Sequence, residues 1–306
     1  MPRIWRHALL TLVPVVALAA LAPLVYSNHL MLFNFIVFLT LAQGINIIYG
    51  FTGYLPFGFV GFFGAGAYGF SVAVMHLQAP PLLALLVGGL ISVVLALALS
   101  PLLRLAGAYF AIANLAAALA IYEIVSNPAL EDITRGPYGI SLSGVFDPTL
   151  SYAVAVIILG ATLAVVIALR NSDFGLSLQA VKDDTVSAAM AGIPVVRQRT
   201  IAWLISALVA GLIGSDFAWY VSAFYPDTVF STEFSVFAIV FALFGGVATA
   251  LGPILGVLLL YGLYNFIGIS EPQYFQLIYG VVIALIVLFL PTGLVSLLQR
   301  RGIDVP

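Results

Sequence analysis

Long apolar runs dominate this sequence, and short polar stretches separate them. A helix needs about 20 apolar residues to cross the hydrocarbon layer of a bilayer. The runs are continuous rather than alternating, which excludes the pattern of a membrane β-barrel and favours helices. The pattern predicts an all-α integral membrane protein, a polytopic bundle of about ten transmembrane helices that forms a single transmembrane domain over residues 1–306. The predicted spans are residues 8–26, 30–49, 55–75, 81–103, 108–126, 151–169, 200–220, 234–249, 252–268 and 275–291.

The positions of the cations predict how the bundle is oriented. All Lys and Arg residues except Arg135 fall on one side if the N-terminus is cytoplasmic, as the positive-inside rule requires. Both termini are then cytoplasmic, residues 127–150 form an external loop, and residues 170–199 form an internal loop. A cleavable signal peptide over residues 1–22 is the competing interpretation of the first span.

Composition supports a lipid environment and excludes several function classes. The chain is 63% hydrophobic and 7% charged, whereas soluble domains carry about 25% charged residues. A net charge of −2 offers no basic surface for nucleic acid. There is no cysteine for a disulfide or a thiolate site, and the three histidines show no metal-ligand spacing. We therefore expect membrane lipid as the surrounding medium, no catalytic residues, no metal and no cofactor bound by this chain.

The internal loop contains the signature of a short capped helix. Asp183 and Asp184 precede an alanine-rich run and can accept the free amide protons of its first turn. Gly192 suits the left-handed position after the last turn, and Pro194 prevents continuation. The predicted helix has about two turns and lies outside the membrane. Its small exposed residues, which include Ala188 and Ala189, favour docking into a partner over packing back on the bundle.

Two glycine-rich breaks suggest an internal repeat around a central pathway. One break is Gly50-Phe51-Thr52-Gly53, and the other runs from Gly245 to Pro253. Such paired interruptions mark transport sites in some membrane proteins, although small residues also serve ordinary helix packing. Polar residues inside spans can line a pathway, relay protons or join helices. The candidate pathway residues are Gly53, Gly58, Gly64, Gly66, Asn46, Asn114, Asp216, Gly245 and Gly246.

Five segments resemble, in order, the LivM-type membrane subunit of the branched-chain amino-acid ABC importer family. The resemblance covers about residues 40 to 295, and the internal loop matches that family's cytoplasmic coupling segment. Tyr54, Pro56 and Phe59 depart from the family pattern, because the family commonly places polar residues within this first glycine motif. The matching segments are Gly53-Tyr54-Leu55-Pro56-Phe57-Gly58, Gly107-Ala108-Tyr109-Phe110-Ala111-Ile112, Arg135-Gly136-Pro137-Tyr138-Gly139-Ile140, Asn171-Ser172-Asp173-Phe174-Gly175-Leu176 with Ala180-Val181-Lys182-Asp183-Asp184, and Gly245-Gly246 with Gly252-Pro253-Ile254-Leu255-Gly256.

The resemblance implies a permease subunit of the bacterial inner membrane that imports branched-chain or other hydrophobic amino acids. It implies a second, related permease subunit, two cytoplasmic ATPases that bind ATP and Mg, and a periplasmic substrate-binding protein. Asp183, Asp184, Ala188, Ala189 and Gly192 would then form the ATPase-coupling surface. The chain has no G-x-x-x-x-G-K-[ST] phosphate loop of its own. The alternatives are a related permease for urea or short amides, and a stand-alone ion- or proton-coupled transporter.

Overall fold

The structure is a computed structural model, and it describes residues 11–270 together with residues 277, 280, 281, 284 and 293–295. In these residues the protein is almost entirely helical. Nine helices are longer than the connecting ones: α1 (Val13–Val25), α2 (His29–Ile45), α3 (Val60–Leu77), α4 (Pro81–Ala98), α5 (Ala108–Val125), α7 (Pro148–Arg170), α10 (Val195–Val221), α12 (Thr232–Gly245) and α13 (Leu251–Ser270). The connecting elements are α6 (Glu131–Thr134), α8 (Asp173–Asp183), α9 (Thr185–Met190), α11 (Pro226–Val229), β1 (Ile140–Ser141) and β2 (Ala223–Phe224).

Seven helical segments of the described residues are long and apolar enough to cross a membrane. The prediction of an all-α polytopic membrane protein is confirmed. Two shorter apolar helices, Val13–Val25 and Leu251–Phe266, match the first and ninth predicted spans. The tenth predicted span, residues 275–291, lies largely outside the described residues, so the count of ten and the cytoplasmic termini stay predictions. The seven segments are His29–Gly50, Val60–Leu77, Pro81–Ala98, Ala108–Val125, Pro148–Arg170, Val195–Val221 and Pro226–Gly245.

Helix α10 lies at the centre of the bundle and packs against α2, α3, α4 and α7. Glycines allow this close approach, because a Cβ at Gly66 would overlap the carbonyl oxygen of Gly211. Close backbone contact through small residues is typical of membrane helix packing. The indole of Trp203 donates a hydrogen bond to the Ala96 carbonyl oxygen at 2.9 Å, so α10 is also fixed to α4 by a polar contact.

The third predicted span differs from the structure in one important way. The sequence predicts a span from residue 55, but α3 begins at Val60 and residues 53–59 are not helical. Gly53 has φ of +79°, and Pro56 disfavours helical geometry at the residue before it. Apolar side chains in this stretch mimic a helical span, but its backbone cannot continue one.

The side of the bundle opposite α8 and α9 is closed by a segment that enters the bundle. Strands β1 and β2 pair antiparallel, with Ile140 opposite Phe224. The chain then passes through α11 to Phe230, which is 5% exposed and packs against Gly64. A side chain at Gly64 would collide with this ring, so Gly64 makes room for Phe230 in this structure.

Candidate functional site

The predicted capped helix is present as α9. Asp184 accepts hydrogen bonds from the backbone N–H groups of Val186 at 2.8 Å and Ser187 at 3.3 Å. The Ser187 hydroxyl donates to the other carboxylate oxygen at 2.7 Å, and these hydrogen bonds hold the pKa of Asp184 below its usual value. Gly192 has φ of +85° and ends the helix as expected. The local sequence is therefore sufficient to set both ends of this helix.

The expected exposure of Ala188 is wrong. Ala188 is 4% exposed, because α9 packs against α8 and α10 and this residue lies on the covered side. The outer face of α9 instead carries three apolar residues, Val186, Ala189 and Met190, beside the capping Ser187; Val186 is 67% and Met190 85% exposed. An apolar face of this kind on a connecting helix indicates a contact surface.

Two cations connect the α8–α9 segment with the residues that precede α3. The Lys182 ammonium donates to the Gly50 carbonyl oxygen at 2.8 Å, and burial lowers the pKa of Lys182. Arg199 donates from Nη2 to the Thr185 hydroxyl at 2.7 Å. Its guanidinium carbon also lies 4.7 Å from the ring centroid of Tyr54, which is cation–π geometry. Residues 50–54 are therefore joined to α8 directly by Lys182, and to α9 through Arg199, which belongs to α10.

The turn between α12 and α13 is held by the amides of α2 and its π-helical extension, Asn46–Gly50. Asn46 Oδ1 accepts from the Ala248 N–H at 2.7 Å, and Asn46 Nδ2 donates to the Thr249 carbonyl oxygen at 2.8 Å. Gln43 Nε2 donates to the Ala250 carbonyl oxygen at 2.7 Å. A polar cavity of about 400 Å³ lies beside this turn. Its lining residues are Gly50, Arg170, Gln179, Lys182, Asp183, Val247, Ala248 and Thr249.

The structure brings many predicted pathway residues together, but not all. Asn46, Gly53, Gly245 and Gly246 lie on the side of the bundle that carries α8. Farther from α8, Asn114 Oδ1 accepts a hydrogen bond from the Gly58 N–H at 2.7 Å. Gly66 faces α10 within the helix packing. The role of these residues in a pathway stays a prediction.

Asp216 lies apart from the other predicted pathway residues, near the opposite end of α10. It is fully buried, and its Oδ1 accepts from the Ser151 hydroxyl at 3.0 Å. Within the described residues, Oδ2 of Asp216 has no hydrogen-bond partner. A buried carboxyl group in a membrane helix is costly and marks a functional or structural constraint. Asp216 is therefore a separate feature of the bundle.

Sequence reasoning overlooked the side chains that connect the two regions. Lys182 and Arg199 were informative only as charges that set orientation, whereas each makes a specific contact with residues 50–54. Ser235 was also overlooked, although its hydroxyl accepts from the Val60 N–H at 2.7 Å and so caps the start of α3. A serine inside an apolar span gives no signal of its partner, which here lies 175 residues away.

Comparison with known proteins identifies the family. A family model described as the branched-chain amino acid transport system / permease component matches residues 27–287. The high-affinity branched-chain amino acid transport system permease protein LivM of Salmonella typhimurium is 26% identical over 297 residues, covering 87% of this chain and 69% of that protein. LivM of Escherichia coli K12 gives the same values.

A third relative has a different printed substrate. The L-arabinose ABC transporter permease protein AraH of Azospirillum brasilense is 31% identical over 157 residues, covering 49% of this chain and 44% of that protein. No solved structure matches the chain. The family match spans most of the sequence, including α2, the non-helical residues 53–59, the α8–α9 segment and α12–α13. The chain belongs to the family of branched-chain amino acid transport system permease components.

Proposed function

We propose that this chain is the membrane-spanning permease subunit of an ABC importer that carries branched-chain or other hydrophobic amino acids across the bacterial inner membrane. Two partner ATPases dock on the coupling helices of the assembly, one of them on the outer face of α9, and hydrolyse ATP with Mg. A second, related permease subunit completes the pathway, and a periplasmic binding protein delivers the substrate. The observation that carries the proposal is the connection of α8 and α9, through Lys182 and Arg199, to the residues that precede α3.

Substrate class is the finer part of the proposal. The printed names of the LivM relatives support branched-chain amino acids, while the arabinose permease raises a sugar as the alternative. Urea or a short amide is a further alternative within related permeases. The cavity beside α5 is lined mainly by apolar side chains, which include Leu55, Ile112 and Leu115, and such a lining favours an aliphatic side chain over the hydroxyl-covered ring of a sugar.

Reconstitution tests the energy source. The chain is placed in liposomes with its partner permease, the two ATPases and the binding protein, and leucine uptake is measured with and without ATP. We expect uptake only when the ATPases and ATP are both present. Uptake by the purified chain alone, driven by an ion or proton gradient, would support the stand-alone transporter. Asp216 is the observation that favours that second function, because its Oδ2 is buried without a described partner.

Substitution of Ala189 tests the docking surface. Ala189 is exposed on the outer face of α9, so Ala189→Trp should block ATPase association by steric overlap while the bundle stays folded. Ala129→Trp is the matched control, since Ala129 is also exposed but lies beyond α5 in the loop between residues 125 and 148. Association is measured by co-purification of the ATPases with each variant. Equal co-purification with both variants would contradict the coupling assignment.

A further inference from the structure

The non-helical segment 53–59 crosses a substantial part of the depth of the bundle. Gly53 at one end lies near the Lys182 side chain, where a Cβ would be 3.4 Å from Cγ. Val60 at the other end is bonded to Ser235. Ser235 precedes Gly245 by ten residues, which corresponds to about 15 Å of helix rise. The segment therefore runs from the level of α8 into the interior of the membrane region.

Backbone polar groups in this segment lack partners among the described residues. The N–H groups of Tyr54, Leu55 and Phe57 donate no hydrogen bond there, while Gly58 and Phe59 donate to Asn114 and Pro56. Non-helical backbone at membrane depth is tolerated where it is buried in protein or lines a cavity that supplies partners. Free backbone N–H groups at membrane depth favour an anionic partner, as at the broken helices of transport sites.

A cavity of about 540 Å³ lies between this segment and the first two turns of α5. Its larger lining side chains are those of Leu55, Phe57, Ile112 and Leu115, and Ala108 and Ala111 line it with small side chains. It opens on the uncovered face of α5, where Ile112 is 67% exposed. The volume falls within the roughly 300–1,000 Å³ range of small-molecule pockets, and the lining is largely apolar, as such pockets usually are.

We propose that this cavity binds the aliphatic side chain of a transported hydrophobic amino acid, with the substrate carboxylate facing the free N–H groups of Leu55 and Phe57, two of the residues that line it. The assignment rests on the proposed function, and it places the substrate next to the segment bound by Lys182 and Arg199. The uncovered face of α5 is where the second permease subunit closes the site. Substrate binding and ATPase docking then act on the two ends of one short stretch of chain.

Thiol labelling tests this site directly, because the native chain contains no cysteine. Leu55→Cys is assembled with the partner subunits in liposomes and treated with N-ethylmaleimide, with leucine or aspartate present as the probe. We expect leucine to slow labelling several-fold and aspartate to leave it unchanged. Ala98→Cys is the control, since Ala98 is exposed at the end of α4 and does not line the cavity. Its labelling should not respond to either amino acid.

A selectivity change provides a second, independent measurement. Leu115→Ala enlarges the cavity, and one or more methylene groups in an apolar pocket alter discrimination by about tenfold or more. The ratio of phenylalanine to valine uptake should therefore rise about tenfold, a change that misfolding would not produce. If the wild-type assembly imports leucine but neither the labelling nor this ratio responds, the cavity assignment is wrong and the proposed function stands. If the wild-type assembly imports no amino acid, both the cavity assignment and the proposed function are wrong.

Discussion

Asn46 makes the best single test of how the bundle is joined on the side that carries α8. Its side chain is fully buried and uses both polar atoms to hold the turn after α12. Oδ1 accepts from the Ala248 N–H at 2.7 Å, and Nδ2 donates to Thr249 at 2.8 Å and to the Gln43 side chain at 3.1 Å. Asn46→Ala removes all of these contacts at once.

The expected loss follows from those contacts. The Ala248 N–H would be left without its acceptor, which costs about 1–3 kcal/mol when a buried group is unsatisfied. The bond donated to the Thr249 carbonyl oxygen joins separate elements and adds about 0.6 kcal/mol, the average for interhelical hydrogen bonds in membranes. We therefore expect Asn46→Ala to lower the free energy of unfolding by about 2–4 kcal/mol.

Denaturation in mixed micelles measures this loss through the fluorescence of the buried Trp203 and Trp219. Asn265→Ala is the matched control, because the Asn265 Nδ2 donates to the Tyr261 carbonyl oxygen one turn earlier on the same helix. This hydrogen bond joins no separate elements, so its loss should lower the free energy of unfolding by less than about 1 kcal/mol. Equal losses in the two variants would refute the view that Asn46 ties α2 to the α12–α13 turn.

Two further predictions concern packing and the capped helix. Gly66→Ala should lower the free energy of unfolding by about 1–3 kcal/mol, since its methyl group overlaps the Gly211 carbonyl. Gly262→Ala, whose methyl group meets no atom of the described residues within 4 Å, should raise it by up to about 1 kcal/mol in the same titration. Because the pKa of Asp184 is depressed in the folded state, its cap should persist above the ordinary carboxyl pKa and be lost as pH falls through the lowered value. Faster amide exchange in α9 with falling pH, corrected for intrinsic rates and absent in Asp184→Ala, would show this; pH-independent protection would contradict it.

Hydropathy, together with the positions of Pro and Gly, was sufficient to predict most of the helices. The starts of α4 and α5 agree with the predicted spans at residues 81 and 108, because Pro80-Pro81 and Gly107 interrupt the chain there. Hydropathy could not reveal that residues 53–59 leave the helical path. Leu55, Phe57 and Phe59 are as apolar in a non-helical segment as in a helix. The mean hydropathy of the stretch therefore carries no information on the conformation of its backbone.

The candidate site was only partly predictable, since its defining contacts join distant positions. Asp184 and Gly192 act on their own neighbours, and their roles could be predicted from local chemistry. The burial of Ala188 depends on how α9 lies against α8 and α10, which no local signal encodes. The partner of Asn46 lies 202 residues away, so the sequence could indicate only a polar group inside a span.

The distribution of contacts suggests where the chain yields when α9 moves. Helices α3, α4 and α10 meet through glycines with backbone in direct contact, and such close-packed interfaces resist small displacements. Residues 53–57 carry few backbone hydrogen bonds. Lys182 of α8 binds Gly50 just before them, and Arg199 of α10 contacts both Tyr54 and Thr185 of α9. We therefore expect a displacement of α8 and α9 to deform this weakly bonded stretch before it deforms the close-packed helices. The stretch borders the cavity beside α5, so the proposed substrate site would change shape before the bundle itself moves.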